Sequence, residues 1–327
     1  MNTKCLSVFR SSDPVHQAVQ SMWSPPREDF KRRLHEEFGN VDFSIDDIEL
    51  HYQLSPDVSA IKGRAKLPET HRRGDLPLLL SSQALLSCDV MHVAGAHYLI
   101  GVINSPRENA IIGNALLEEV ANESSKEATA AATSLGKRVQ QLLGFDVKVE
   151  CDKARSIEFS KHQIEGELQC HVEQVSGHVD YAEAAIKATK RRVRVKSSSL
   201  ACDANAAALT HAVIGAALII NRAIRKGSGN RSAHKALSPH REASFKRLYS
   251  FPPTDLVEAT TRSSNSTQRL RATTATPLHP SVNDNNDWDF YSLETGGFFA
   301  SDRKLAREAP WACEARLRMK RLALSAR

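Results

Sequence analysis

Between residues 87 and 151 the spacing of the apolar residues changes from strand-like to helical and back. This change restricts the possible folds more than any other feature of the sequence. Two short apolar runs, 87–93 and 97–103, flank the tripeptide Ala94-Gly95-Ala96. Strand-like runs on either side of a small glycine-containing link are typical of a β-hairpin. We therefore predict two antiparallel strands with a three-residue connection.

Beyond the hairpin the spacing becomes helical. From about 108 to 143 apolar residues recur at intervals of three and four, which predicts one broken helix or two consecutive helices, ending at Gly144. Residues 145–151 then alternate as a strand. The order hairpin, helix, strand predicts an α+β fold, with a mixed or antiparallel sheet and one or two packed helices.

The remaining local patterns are shorter. Pro26 is well placed to begin a helix that runs to Phe38, and partial alternation predicts a strand at 45–54. Val193 to Lys196 is predicted as a short basic strand, and Asp203 as the N-cap of a helix that runs to Lys226.

After Gly227 the periodicity disappears, and Ser, Thr, Asn, Arg and Pro dominate, which predicts disorder. The predicted organisation is a flexible lead with a short helix (1–40), an α+β binding domain (41–180), a basic helical arm (181–226) and a mostly disordered tail (227–327). In that tail, isolated aromatic residues such as Trp288, Phe290 and Tyr291 are expected to be unstructured or to form short binding motifs.

Charge is distributed very unevenly along the chain. Its 44 basic and 38 acidic residues give a net charge of +6. Residues 1–186 have 19 basic and 27 acidic side chains, whereas residues 187–250 have 14 and 2. An acidic body joined to a basic segment favours contact with an anionic partner, such as a nucleic acid or an acidic protein surface, although a solvated basic linker has the same composition.

The densest basic cluster lies at 187–196, and a second group follows the apolar stretch 206–220. That stretch is shorter than the roughly 20 apolar residues that a membrane-spanning helix needs, so a buried helix is the preferred interpretation. The candidate contacts to nucleic acid or another anionic partner are Lys187, Lys190, Arg191, Arg192, Arg194, Lys196, Arg222, Arg225 and Lys226.

Sequence motifs of catalysis and cofactor binding are missing. The chain has no complete phosphate-binding loop, no His-Glu-x-x-His and no Gly-x-Ser-x-Gly. His162, His171 and His178 are too widely spaced for a typical zinc motif. From the sequence we predict no catalytic residues, no cofactor and no metal site, and expect a protein that is not an enzyme.

One arrangement resembles a known family. His97-Tyr98-Leu99-Ile100-Gly101-Val102 ends the hairpin, Ser134-Leu135-Gly136-Lys137-Arg138-Val139 lies in the helix, and Val147-Lys148-Val149-Glu150-Cys151 is the following strand. This order is similar to that of the fourth proteasome assembly chaperone family, over roughly residues 45–170, with Asp47 to His51 near that family's first strand. Gly136 stands where alanine is usual, and Lys148 where an aromatic residue is typical.

The resemblance implies a non-enzymatic chaperone or adaptor that binds other protein subunits, as a heterodimer or a larger complex, in proteasome core assembly. The alternative hypothesis is a nucleic-acid-binding protein, for example an RNA-binding protein of the viral movement type, that uses residues 187–250. The first residues lack a signal-peptide pattern, and the six cysteines are scattered, so a cytoplasmic location is expected. The basic cluster would also serve as a nuclear import signal.

Overall fold

The computed structural model has helices and sheets in two compact units. Unit 1 comprises residues 1–65, 192–215 and 243–327, and unit 2 comprises residues 66–191 and 216–242. The structure describes residues 14–22, 25, 27–34, 43–54, 83–105, 114–120, 125–144, 146–152, 161–175, 179–199, 206–222, 232–237, 257–260, 272–281, 287–301 and 304–306. The predicted α+β class is confirmed.

Three short helices open unit 1: α1 (Pro14–Ser21), α2 (Arg27–Arg33) and α3 (Ile45–Leu54). Their apolar faces form one cluster around Phe30, which stacks on Phe43 at 6.3 Å between ring centroids. The predicted helix after Pro26 is confirmed over α2, and its predicted end at Phe38 lies outside the described residues.

The predicted strand at 45–54 is wrong, because this segment is helix α3. Ser44 begins the helix: its hydroxyl accepts a hydrogen bond from the Asp47 amide at 3.2 Å, while the Asp47 carboxylate accepts one from the Ser44 amide at 2.7 Å. These reciprocal bonds satisfy amides at the helix start that otherwise have no partner. Ile48 and Tyr52, four residues apart, then face the same cluster.

The first sheet lies in unit 2 and has the strand order β3-β2-β1-β4-β5. β1 (Gln83–Val93) and β2 (Ala96–Asn104) form the predicted hairpin. The connection has two residues rather than three, because Ala96 already pairs with Val93. Ala94 (φ 49°) and Gly95 (φ 84°) both adopt the left-handed backbone conformation that such tight turns require.

β3 (Asn114–Val120) occupies the segment predicted to begin the long helix, so that part of the prediction is wrong. β3 pairs antiparallel with β2 from Asn114 to Val120. Asn221 secures the strand, since its side-chain amide donates to the Ala115 carbonyl (2.7 Å) and accepts from the Ala115 amide (2.6 Å). Strand pairing, which depends on residues far away in sequence, here overrides local helical spacing.

The rest of the long helix is confirmed as α4 (Ser125–Leu143), and Gly144 follows it with φ 63°. β4 (Asp146–Asp152) is the predicted following strand and runs parallel to β1. Helix α5 (Lys161–Leu168) follows, and β5 (Val172–Val175) then completes the sheet. The core of unit 2 lies between α4 and the sheet, around residues such as Leu135 and Val149.

α6 (Asp180–Ser199) is one continuous helix, so the predicted basic strand at Val193 to Lys196 is wrong. α7 (Ala206–Asn221) is the apolar helix and α8 (Ala233–Leu237) is a short one. Asp203 and Lys226 lie outside the described residues. Among the helices of the described part of the chain, none combines the length and apolar character needed to cross a membrane.

A second sheet lies in unit 1, within the segment for which the sequence predicted a mostly disordered tail. It has the order β10-β6-β7-β8-β9, and every pairing is antiparallel. The strands are β6 (Val257–Thr260), β7 (Ala272–Pro280), β8 (Trp288–Ser292), β9 (Phe298–Ser301) and β10 (Lys304–Ala306). Trp288 and Phe290 are not isolated aromatic residues, because both belong to the buried core of this sheet.

Candidate functional site

Strand alternation in the first sheet places polar side chains on the face opposite α4. In β4, Val147, Val149 and Cys151 belong to the core beneath α4. Since neighbouring residues of a strand point to opposite faces, Glu150 and Asp152 lie on the other face. The same reasoning applied to β1, whose Leu86 and Cys88 are in that core, places Ser87 and Asp89 beside them.

The strand register brings two aspartates to neighbouring positions. β1 and β4 are parallel, and their last paired residues are Cys88 and Cys151. Asp89 and Asp152 each come one residue later, and Asp152 is the final residue of β4. The two residues therefore occupy neighbouring positions where the parallel pairing of β1 and β4 ends. Both side chains are partly exposed, which leaves them accessible to a small ion.

This position is also where the sheet changes direction. β1 is antiparallel to β2 on one side and parallel to β4 on the other. In open sheets of this kind, ligands bind beyond the carboxyl ends of the parallel strands, where the connections diverge. Asp152 lies at such an end, whereas β1 continues past Asp89 to Val93 in its pairing with β2.

Hydrogen bonds hold the carboxylates of Glu150 and Asp89 in place. Glu150 accepts a hydrogen bond from the Ser87 hydroxyl at 2.8 Å, which ties β4 to β1 just before the aspartate pair. Asp89 accepts one from the Val90 amide at 2.7 Å, which orients its carboxylate along β1. Two acidic side chains at adjacent positions repel each other, so a bound cation would stabilise this arrangement.

The electrostatic effect of the carboxylates reaches the two neighbouring thiols. Burial raises the pKa of Cys151 to about 11, and the negative charges of Asp152 and Glu150 contribute. Burial also raises the pKa of Cys88 far above its ordinary value, with further contributions from Cys151, Asp89 and Glu150. A negative potential at this edge favours a cation, and carboxylate oxygens are the ligands that Mg²⁺ and Mn²⁺ prefer.

Helix α6 carries a stripe of basic residues in the same unit. Lys187, Lys190 and Arg191 are spaced by three and four residues and share one side of the helix. Lys187 is exposed and pairs with Glu183 at 3.0 Å, and the other two are partly exposed. The opposite side, including Ala185 and Thr189, is buried. We call Lys187, Lys190 and Arg191 the basic stripe.

The other predicted contacts divide into three groups. Arg192 is partly exposed and Arg194 is exposed on the continuation of α6. Lys196 and Arg222 are buried, which corrects the prediction that they face an anionic partner. Arg225 and Lys226 lie outside the described residues. A linear run of basic residues winds around a helix, so only part of the run can point outward.

The aspartate pair was not identified from the sequence. Asp89 and Asp152 are 63 positions apart in the chain, and only the parallel pairing of β1 with β4 makes them neighbours. The available signal was an acidic residue in or next to each predicted strand, since Asp89 lies within 87–93 and Asp152 directly follows 145–151. That signal had little weight without knowledge that the two strands are adjacent and parallel.

Comparison with known proteins finds similar solved structures but no matching family. No family model and no curated protein matches the chain. Among solved structures, a chain of the simian T-cell lymphotropic virus intasome in complex with PP2A regulatory subunit B56 gamma is 11% identical, with a TM-score of 0.40, over 86% of this chain and 95% of that one. The HTLV-2 integrase catalytic core domain in complex with magnesium is 13% identical, with a TM-score of 0.35, over 48% of this chain and 97% of that one. Similarities this low carry no argument about function.

Proposed function

We propose that this protein binds nucleic acid through the basic stripe and cleaves or transfers its phosphodiester bonds with a divalent cation held by Asp89 and Asp152. The observation that carries the proposal is the register of β1 and β4, which sets the two aspartates at neighbouring positions where the parallel pairing ends. This function follows the nucleic-acid hypothesis drawn from the sequence and adds a reaction to it.

The aspartate pair and the basic stripe would have complementary roles in this reaction. A divalent cation between carboxylates polarises a phosphoryl oxygen and lowers the pKa of a bound water. In hydrolysis the water oxygen bonds to phosphorus, one ester P–O bond breaks, and the water proton ends on the departing oxygen. Arg191 and its neighbouring lysines would neutralise phosphates of the same nucleic acid.

Two carboxylates leave most of the coordination positions of Mg²⁺ to water and substrate oxygens, or to a further carboxylate.

The experiment is a cleavage assay on labelled double-stranded DNA and RNA with the purified full chain, in Mg²⁺ or Mn²⁺ and in EDTA. We expect cation-dependent cleavage that Asp89→Asn or Asp152→Asn reduces by at least about a hundredfold. Asp146→Asn is the matched control, since Asp146 lies on the same face of β4 at the opposite end of the strand. It should retain wild-type activity.

Binding of Mn²⁺, followed by electron paramagnetic resonance, provides a readout that does not need the correct substrate. Loss of Mn²⁺ binding in Asp89→Asn and Asp152→Asn, but not in Asp146→Asn, supports the site. If wild type binds no Mn²⁺, or the control and test variants behave alike, the proposal is wrong.

The proteasome assembly hypothesis stays a prediction, since none of these observations bears on it. The segment Asp47 to His51, which the resemblance set near a first strand, lies in helix α3. Mass spectrometry of partners captured with the full chain, with and without nuclease, separates the two hypotheses. Proteasome α-subunits retained after nuclease treatment would support a chaperone, whereas loss of all partners would favour nucleic acid.

A further inference from the structure

A second group of ligand-forming side chains lies in unit 1, far in sequence from the aspartate pair. His211 comes from α7, His279 from β7 and Asp289 from β8. One potential ligand atom from each lies within 4.8 Å of the others. Across the β7–β8 ladder His279 and Asp289 are directly paired, so the sheet itself fixes two members of the group.

The hydrogen bonds of His279 determine which of its ring nitrogens could bind a metal ion. Its Nδ1 lies 2.9 Å from the Pro280 carbonyl oxygen and 3.5 Å from Asp289 Oδ2. The Pro280 carbonyl oxygen can only accept, so Nδ1 carries the proton and Nε2 keeps its lone pair. A histidine whose other nitrogen donates to a carbonyl or a carboxylate is oriented as metal-binding histidines usually are.

His211 completes the pair of imidazoles. Its Nδ1 lies 3.0 Å from His279 Nε2, so one proton is shared between the two rings. Phe298 stacks on the other side of the His211 ring at 4.3 Å between centroids and fixes the ring plane. Two nitrogens bound to one tetrahedral Zn²⁺ are about 3.3 Å apart, so a shift of a few tenths of an ångström would admit the ion.

The surroundings of the two histidines favour a metal cation in place of the proton between His211 Nδ1 and His279 Nε2. His279 is 3% exposed, and burial lowers the pKa of His211 and raises the pKa of Asp289. Burial therefore favours the neutral form of the His211 imidazole, which is the form that binds metals. A dication bound here would also offset the cost of keeping the Asp289 carboxylate ionised in a partly buried position.

We propose that His211 Nδ1, His279 Nε2 and a carboxylate oxygen of Asp289 bind a divalent transition metal of the zinc class. On binding, the His211 ring changes tautomer: the proton on Nδ1 leaves to solvent and another occupies Nε2, so the ring stays neutral and no net proton is released. Three protein ligands leave a fourth tetrahedral position for water or another small ligand. The site would tie α7 to the second sheet, within unit 1.

The test uses the full chain, freed of metal with EDTA and titrated with Co²⁺ and then Zn²⁺. We expect one Co²⁺ per chain with the intense visible bands of a tetrahedral site, displaced by Zn²⁺, and a Zn²⁺-dependent rise in Tm. His211→Gln removes a partly exposed ligand and should weaken Zn²⁺ binding by at least about tenfold.

His162→Gln is the matched control, because the His162 side chain is 98% exposed on α5. It should bind Zn²⁺ as wild type does. Circular dichroism of the metal-free proteins checks that His211→Gln still folds, and Asp289→Asn provides a second variant if it does not. A chain that binds no Co²⁺, or equal binding by His211→Gln and His162→Gln, would show only a hydrogen-bonded His–His–Asp network.

This site is independent of the aspartate pair in the first sheet. Asp89→Asn and Asp152→Asn should leave the Co²⁺ spectrum unchanged. Either proposal can therefore fail without the other.

Discussion

At the scale of single residues, burial decides what a charged side chain contributes. Lys196 belongs to the densest basic run of the sequence, yet it lies on the side of α6 that also buries Thr189 and Val193. Burial lowers the pKa of Lys196 to about 7. Lys190, six positions earlier, is partly exposed. The composition of the run does not distinguish these two lysines. Their positions on the helix do, because one side chain is buried and the other is partly exposed.

Replacing Lys196 with methionine should stabilise the protein at pH 7, by on the order of a few kcal/mol. The pKa of Lys196 is about 7 in the folded chain and 10.5 in its ordinary state. Between these values the unfolded chain binds more protons, so the wild-type free energy of unfolding rises with pH from about 7 to 10.5. Lys196→Met should remove that rise.

Urea unfolding at several pH values across this window measures the effect. Lys190→Met, on the partly exposed side of the same helix, is the control and should keep the wild-type slope. An unchanged pH dependence in Lys196→Met would contradict the assignment of the slope to Lys196.

At the scale of helices and strands, end groups and pairing partners override local patterns. Residues 45–54 alternate partly like a strand, but the reciprocal bonds between Ser44 and Asp47 begin a helix there. Residues 114–120 have helical spacing, but pairing with β2 makes them a strand. By contrast α4 was predictable over most of its length, because a long alanine-rich helix with a terminal glycine has strong local signals.

The Ser44 cap can be tested directly. Ser44→Ala removes the hydroxyl that accepts from the Asp47 amide, and should lower the free energy of unfolding by about 0.5–2 kcal/mol. Asp46→Ala is the control, since Asp46 lies in the same first turn outside the reciprocal bonds and should cost less. Thermal and urea unfolding of both variants would give the comparison, and equal losses would refute the cap as the determinant of α3.

At the scale of the whole molecule, an acidic carboxylate edge and a basic helix stripe coexist in unit 2. The sequence had already shown a charge asymmetry, but it assigned the positive charge to an arm of 64 residues as a whole. Of the basic residues predicted as contacts, those that the structure describes as at least partly exposed in unit 2 are the three of the basic stripe. Nucleic-acid binding should therefore depend on a few phosphate contacts rather than on the total charge of the arm.

Three phosphate contacts by the basic stripe predict a slope of about −3 for the logarithm of the binding constant against the logarithm of salt concentration. In the double variant Lys190→Gln with Arg191→Gln, this slope should become shallower, at about −1. Lys126→Gln with Lys137→Gln, two exposed lysines on α4, makes the same change in net charge and should leave the slope near −3. Fluorescence anisotropy with a labelled duplex over a range of NaCl concentrations measures it. Equal slopes for the two double variants would contradict a localised contact.

The sequence by itself determined the features that depend on neighbours along the chain: the hairpin, most of α4, the strand after it, and the α+β class. It also located the basic run. Only the tertiary structure decided which lysines of that run are buried, that the tail contains a second sheet, and that Asp89 meets Asp152 and His211 meets His279. Each of those outcomes depends on contacts between segments far apart in sequence, and local propensity and charge do not encode which distant strand or helix will be the partner.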